Sequence, residues 1–338
     1  MVQLLIQTSF LGDAILTTPL LAELASRGPV TLVVTPGAAP LFKQHPQVDR
    51  LVVYDKRGTD SGMAGFGRLV SLLRAPSGDA VAYLAQGSHR SGALARAAGY
   101  RQRIGLASSS GRLWYTTQVQ VPEHAHHAER LWRLALAPRV PTAGDLRPRL
   151  HVLPEHHEAA ARVAGGPAAA GDPLIAIAPG SVWATKRWPY YAELARELSQ
   201  LARIVVVGGA DDRPLAAAVV DALGKEGRAI DATGRLSLLE SAALIARCSV
   251  LVTNDSAPLH LASAVSTPTV AIFGPTVTRF GFGPLAERHE IAQVTDLPCR
   301  PCHTHGLMTC PLTHFRCMRD LLPDRVAGAV ARVLGTGA

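Results

Sequence analysis

The chain is predicted to be an α/β protein made of two Rossmann-like halves, each built on a parallel sheet. Three observations carry this expectation. Short β-branched runs alternate with helical stretches in the first part of the sequence, a Pro-, Gly- and Ala-rich break follows, and a second alternating series begins at Leu174. A length of 338 residues also exceeds what one hydrophobic core usually organises.

In the first series, strands are expected at 2–7, 30–34, 51–54, 80–84 and 118–121, with helices at 14–26, 66–74, 92–98 and 128–136. The break runs from Pro138 to Pro173 and contains a helical stretch at 155–164. The second series gives strands at 174–178, 203–207, 229–231, 250–253 and 269–273, and helices at 190–200, 214–223, 238–246 and 259–265. The predicted domains are 1–153 and 172–322, with a last helix at 323–338 that would be free to pack back on the first domain. In open α/β sheets, ligands gather at the carboxyl ends of the strands. Asp13, Gly180, Gly208 and Asp255 all follow predicted strands, so their loops would converge on one cleft if the halves face each other.

Apolar residues make up 48% of the chain and charged residues 18%, the balance of a folded globular protein. The start lacks a basic region, and the apolar runs are too short to span a bilayer. A soluble cytoplasmic protein without a signal peptide is therefore expected. The formal charge of +8 favours an anionic partner, either a phosphorylated substrate or an acidic lipid surface. With 5% aromatics and no basic run interleaved with them, nucleic acid is not expected.

Four segments carry candidate chemistry. In TSFLGDAIL, Asp13 stands at a strand-to-helix turn, where it either caps the helix, worth roughly 1 kcal/mol, or performs chemistry. In IAPGSVWATKRWP, a Gly-containing turn, Ser181, Thr185 and Lys186 precede a helix start, a combination suited to binding a diphosphate. In VTNDSAPLHLASA, Asp255, Ser256, Ala257 and His260 lie at a helix start marked by Pro258. In VVVGGADDRP, Gly208 and Gly209 permit close backbone approach, and Asp211 or Asp212 can accept from ribose hydroxyls.

Cys299, Cys302, Cys310 and Cys317 cluster near the C-terminus among His303, His305 and His314. They read as reduced structural thiols, as a structural zinc site, or as redox-active thiols. Cys248 lies apart and reads as core. His124, His126, His127, His156 and His157 lack an acidic partner pattern such as H-E-x-x-H and are expected at the surface. No D-x-D metal pair, Walker A loop or G-x-S-x-G elbow is present.

Together these motifs resemble the ADP-heptose:lipopolysaccharide heptosyltransferase family, glycosyltransferase family 9. The matching segments are TSFLGDAILTTPLL, APGS with TKRWP, GGADD, NDSAPLHLASA with TPTVAIFGPT, and the cysteine-bearing tail ending in HFRCMRDL. That tail is most similar to the heptosyltransferase II branch. The resemblance implies a GT-B fold of two facing Rossmann-like domains, with acceptor bound by the first and nucleotide-sugar donor by the second. It implies inverting transfer of heptose from ADP-L-glycero-D-manno-heptose to the lipopolysaccharide inner core, at the cytoplasmic face of the inner membrane. Asp13 matches the family's general base, with Gly12 beside it. Lys186 matches the lysine on the donor diphosphate, and Ser181, Thr185, Asp211, Asp255, Ser256, Ala257 and His260 match donor-side positions. Arg90, in QGSHRS, is an acceptor-side candidate. No cofactor is expected to be required.

Four other readings compete, one of them a catalytically inactive sugar-nucleotide binder, which the presence of both Asp13 and Lys186 disfavours. A family member with another donor or acceptor shares every motif. A GT-B-like nucleotide-sugar epimerase would need acid and base carboxylates in the second half, which the Asp13 and Lys186 pairing disfavours. A dinucleotide oxidoreductase would need G-x-G-x-x-G after the first strand, where TSFLGD stands instead.

Overall fold

The computed structural model describes residues 2–76, 78–165, 173–224 and 229–335. The chain divides into two compact units, Met1–His151 and Val152–Ala338. The expected domain start at 172 and residues 336–338 of the last expected element lie outside the described residues.

The first unit holds six parallel strands: β1 (Gln3–Gln7), β2 (Val30–Val34), β3 (Arg50–Val53), β4 (Val81–Leu84), β5 (Gln102–Leu106) and β6 (Thr117–Val119). Their order is β3-β2-β1-β4-β5-β6. The buried central strands are apolar on both faces, as a sheet covered by helices on each side requires. Ile6 of β1 lies in register with Val33 and Leu84, which fixes the middle of the core. Strand β5 was not expected, because QRIGL opens on two polar residues and contains Gly105. That glycine makes room for a ring, since a Cβ there would stand 2.2 Å from Cε2 of Tyr115.

The helix expected at 14–26 is two helices, Leu11–Leu16 and Thr18–Ala25. Pro19 cannot supply an N–H to the Ile15 carbonyl, and the Thr18 hydroxyl donates to it instead at 2.8 Å. Thr17 Oγ1 donates to the Asp13 carbonyl at 2.7 Å, so the junction is satisfied locally. The break lets the first helix be a short, separately aimed turn carrying Asp13.

The second unit repeats the plan with β7 (Leu174–Ala178), β8 (Arg203–Val206), β9 (Ala229–Asp231), β10 (Val250–Asn254), β11 (Thr269–Phe273) and β12 (His289–Gln293). The order is β12-β11-β10-β7-β8-β9, all parallel. In both units the first strand is flanked by the second and the fourth, so crossovers leave it in opposite directions. That is the switch point where such sheets bind ligands. Ile177 of β7 lies between Val206 and Val252 at the core's centre. The edge strand β12, HEIAQ, was not expected because its first residues are polar and only Ala292 is buried.

Two boundaries are corrected. The helix Pro154–Val163, expected in the connecting segment, packs against the helix Leu238–Ala246 of the second unit. The helix Pro323–Leu334, expected to be free to return to the first domain, spends its apolar face within the second unit. Its Val326, Ala329, Val330 and Val333 join the core there, against the helix Tyr191–Leu198 and strands β11 and β12. Among the described residues, no helix is long and apolar enough to cross a membrane.

Candidate active site

Each unit presents one cluster of chemistry-bearing residues at its strand ends. In the first unit, β1 ends in Thr8-Ser9-Phe10, and Asp13 is the third residue of the helix that follows. Asp13 Oδ2 accepts from the Ser9 hydroxyl at 2.6 Å and from the Phe10 N–H at 3.3 Å. The second contact is a helix-capping bond. Oδ1 lies 3.5 Å from His127 Nε2. Burial lowers the His127 pKa, opposed by the nearby Asp13 carboxylate and assisted by Arg130. The imidazole is therefore neutral at neutral pH, and its N–H can orient the carboxylate without neutralising it.

His127 corrects an expectation. It is half-buried at the start of the helix His127–Trp132 and faces Asp13, whereas the sequence placed it with surface histidines. Its neighbour His126 caps that helix, accepting from the Ala128 N–H at 3.1 Å. No local pattern pairs His127 with Asp13, because the contact exists only once the sheet has formed.

Asp13 and His127 line an open pocket of about 270 Å³ with Ser9, Gln86, Ser88 and Ser109. A larger pocket of about 420 Å³ shares Ser9 and Gln86 and is lined by Tyr54, Lys56 and Arg57. Lys56 Nζ donates to the Thr8 carbonyl at 2.7 Å. Burial and the neighbouring Arg57 and Arg90 lower its pKa. Arg90 lies 5.3 Å over the ring of Tyr54, a residue that lines this pocket. The structure thus adds Lys56 and Arg57 to the expected Arg90 as a cationic group. Gly12 is half-buried in the helix of Asp13.

In the second unit, the loops after β7, β10 and β11 emerge side by side, because these strands are neighbours in the sheet. Asn254 joins the first two. Its Nδ2 donates to the Pro179 carbonyl at 2.9 Å, and its Oδ1 accepts from the Trp188 N–H and the Tyr191 hydroxyl. Lys186 is carried by a single turn, Ala184–Lys186, and its Nζ donates to Asp255 Oδ2 at 2.6 Å and to the Asp255 carbonyl at 3.2 Å. The Thr276 hydroxyl donates to the same Oδ2 at 2.7 Å. Both partners of the ion pair are buried, so removing either one leaves an uncompensated charge, at a cost of about 3–5 kcal/mol. Lys186 was expected to serve the donor diphosphate; in this arrangement its charge is shared with Asp255.

Arg300 supports the pair from behind. Its guanidinium donates to the carbonyls of Gly274, Thr276 and Val294 and to Gln293 Oε1, which holds the loop that carries Thr276. Sequence reading missed this residue, since nothing local distinguishes it from other arginines.

The remaining donor-side candidates divide. Ser256 precedes the helix Ala257–Val265, which has no side-chain cap, and its hydroxyl donates to the Asn254 carbonyl at 3.4 Å. Ala257 is the first residue of that helix, and His260 is buried with its ring 6.4 Å from Phe282. Ser181 Oγ accepts from the Trp183 N–H at 3.3 Å. Thr185 is corrected: it is buried, and its hydroxyl and N–H are committed to the backbone of Leu307. Asp211 is exposed, and the carboxylate packed into the loop belongs to Asp212. Asp212 accepts from the Gly209 N–H at 2.9 Å, and a Cβ on Gly180 would stand 2.1 Å from its Oδ1. Gly180 is therefore glycine because Asp212 lies against it.

Cys299, Cys302, Cys310 and Cys317 all line one small pocket of about 30 Å³ with His314. Cys299 Sγ is 4.0 Å from His314 Nε2. Burial and the adjacent thiols push Cys317 up to about 12, so it is a protonated thiol. The donors are of a kind that suits zinc. Even so, among the described residues no three His, Cys, Asp or Glu side chains stand so as to hold a metal ion. Cys248 is buried, as expected for a core residue.

The profile of glycosyltransferase family 9 (heptosyltransferase) matches residues 67–312. Lipopolysaccharide heptosyltransferase 1 of Pseudomonas aeruginosa is 30% identical over 98% of this chain and 97% of its own length. Lipooligosaccharide heptosyltransferase 2 of Campylobacter jejuni is 31% identical over 169 residues, covering 48% of this chain. The corresponding Haemophilus influenzae protein is 34% identical over 168 residues. The chain aligns with about half the length of these two relatives. Among solved structures, Escherichia coli ADP-heptose lps heptosyltransferase II aligns over 99% of this chain and 98% of its own, with a TM-score of 0.76 and 24% identity. A family 9 glycosyl transferase from Veillonella parvula aligns over 98% and 97% with a TM-score of 0.82 and 22% identity. At these identities the likeness is one of fold, and the fold is GT-B.

Proposed function

The chain belongs to glycosyltransferase family 9, and from that premise we propose that it transfers heptose from an ADP-heptose donor to the lipopolysaccharide inner core with inversion. The observation that carries the reading is Asp13. Its carboxylate is oriented by Ser9, the Phe10 N–H and His127 and borders an open pocket.

The chemistry divides between the units. On the acceptor side, the attacking hydroxyl gives its proton to the Asp13 carboxylate as its oxygen bonds to the anomeric carbon. Lys56, Arg57 and Arg90 supply cationic contacts for an acidic acceptor, whose phosphates or carboxylates need paired charge. On the donor side, the bond from the anomeric carbon to the diphosphate breaks, and the electron pair leaves with ADP. Lys186 and the uncapped N-terminus of the helix Ala257–Val265 meet the charge that develops there. A single displacement of this kind inverts the anomeric centre and calls for no cofactor. The four cysteines remain a structural feature in this reading, as free thiols. A lipid-borne acceptor also places the enzyme at the cytoplasmic face of the inner membrane as a peripheral protein, for which the positive charge is suited.

The test is a matrix of purified protein with ADP-heptose, UDP-sugars and GDP-sugars as donors, against Kdo-lipid A and heptosylated Kdo-lipid A as acceptors. ADP release with ADP-heptose and the heptosylated acceptor is the expected result and assigns a type II activity. Turnover on Kdo-lipid A alone assigns type I, the type of the full-length Pseudomonas relative. Release only with another sugar nucleotide overturns the donor.

A further inference from the structure

The acceptor-side unit has a charge asymmetry of which the proposed transfer chemistry uses only Arg90. Residues 80–122 contain five arginines, Arg90, Arg96, Arg101, Arg103 and Arg112, and no Asp, Glu or Lys. Toward the end of this stretch the single-turn segment Ser110–Trp114 projects an apolar tip, with Leu113 82% exposed and Trp114 36% exposed. An exposed leucine beside a tryptophan is costly in water unless something covers it.

The tip is rigidly mounted. A Cβ on Gly92 would stand 2.5 Å from Cβ of Trp114, so the tryptophan backs directly onto the helix His89–Ala97. Arg103 donates to the Trp114 carbonyl at 2.6 Å and to the Tyr100 and Arg101 carbonyls at 2.6 and 3.0 Å, which ties the tip to the segment bearing exposed Arg101. On its other side the tip begins at the wall of the Asp13 pocket. Ser109 and Ser110 line that pocket, and Gly111 donates to the Gly87 carbonyl at 2.9 Å.

We propose that Leu113 and Trp114, together with the exposed Arg96, Arg101 and Arg112, form the surface by which this protein docks on an anionic lipid bilayer. The aromatic and aliphatic side chains enter the interfacial layer while the arginines pair with lipid phosphates. The charge fits this occupant, because a stretch with five cations and no acid repels none of the headgroups. The position fits as well: the tip is continuous with the pocket of Asp13, so a saccharide rooted in the same bilayer would be presented next to the base. The inference rests on the reading of a lipid-borne acceptor, but the binding assay below requires neither donor nor acceptor.

Flotation with vesicles of phosphatidylcholine containing phosphatidylglycerol, and with phosphatidylcholine alone, tests the proposal. The wild-type protein should float with the anionic vesicles and be released by high salt. Leu113→Ser should weaken binding by about tenfold, and Arg101→Gln with Arg112→Gln by about fivefold per arginine removed. All variants should keep wild-type turnover on acceptor saccharide stripped of its acyl chains and lose it on acceptor embedded in vesicles. Equal flotation of wild type and variants would overturn the proposal. So would an equal loss of turnover on the stripped saccharide, which would make the tip an acceptor-sugar contact. Should no sugar donor support turnover at all, the transferase reading fails, while flotation still decides the docking surface.

Discussion

Asp13 follows the first strand of one unit and Asp255 the fourth strand of the other, each a central strand with a helix beginning at or near the residue, and their surroundings differ sharply. The partners of Asp13 are a hydroxyl, a backbone N–H and a neutral imidazole, beside an open pocket. Asp255 is buried against an ammonium at 2.6 Å and a hydroxyl at 2.7 Å. Asp13 is left bordering open space, whereas Asp255 is closed onto Lys186 and sets the position of that lysine. Under the proposed function, the same strand-turn-helix design serves as a proton acceptor in one unit and as an anion-binding cation in the other.

The largest way to break this contrast is Lys186→Met. It should destabilise the second unit by about 3–5 kcal/mol by stranding Asp255 and remove measurable ADP binding. Pairing it with Asp255→Asn should restore the melting temperature and leave binding absent, which separates the structural from the chemical part. On the other side, His127→Phe should lower kcat by roughly tenfold or more while ADP affinity stays near wild type, because the Asp13 carboxylate loses its orienting partner. Arg300→Lys should raise the donor KM by about tenfold with kcat nearly unchanged. Its effect should be non-additive with Thr276→Val, since both act through one loop.

The smallest effect is one of pH. His45, in the first unit, is lowered to about 4 by burial and by His151. An unfolded histidine takes up its proton near 6.5. As pH falls from about 6.5 toward 4, the unfolded state binds a proton that the folded state refuses, and stability declines over that window. His45→Asn should flatten this acid slope, by roughly 2–4 °C in Tm for each kcal/mol recovered. An unchanged slope would show that other groups govern it.

Much of the architecture was legible because buried parallel strands are written as dense Val, Ile, Leu and Ala runs. The strands Val30–Val34, Leu174–Ala178 and Thr269–Phe273 fall where the sequence puts them. Strands β5 and β12 escaped because Gln102-Arg103 and His289-Glu290 dilute that signal. Asp13, Lys186 and Asp255 were legible from motifs, as each lies at a turn with its own local pattern. Their partners were not. His127, Thr276 and Arg300 acquire their roles from strand order and loop adjacency, which no local spacing encodes. Thr185 misled for the same reason: its hydroxyl fits a phosphate loop by sequence, but Leu307 claims it in three dimensions.

The most direct test of the division between a proton-accepting unit and a diphosphate-binding one is Asp13→Asn, assayed in parallel for ADP affinity and for turnover on the inner-core acceptor. Loss of a general base predicts turnover reduced by about 10²-fold or more with ADP affinity unchanged within about twofold. Turnover close to wild type would make Asp13 a helix cap alone and contradict the account.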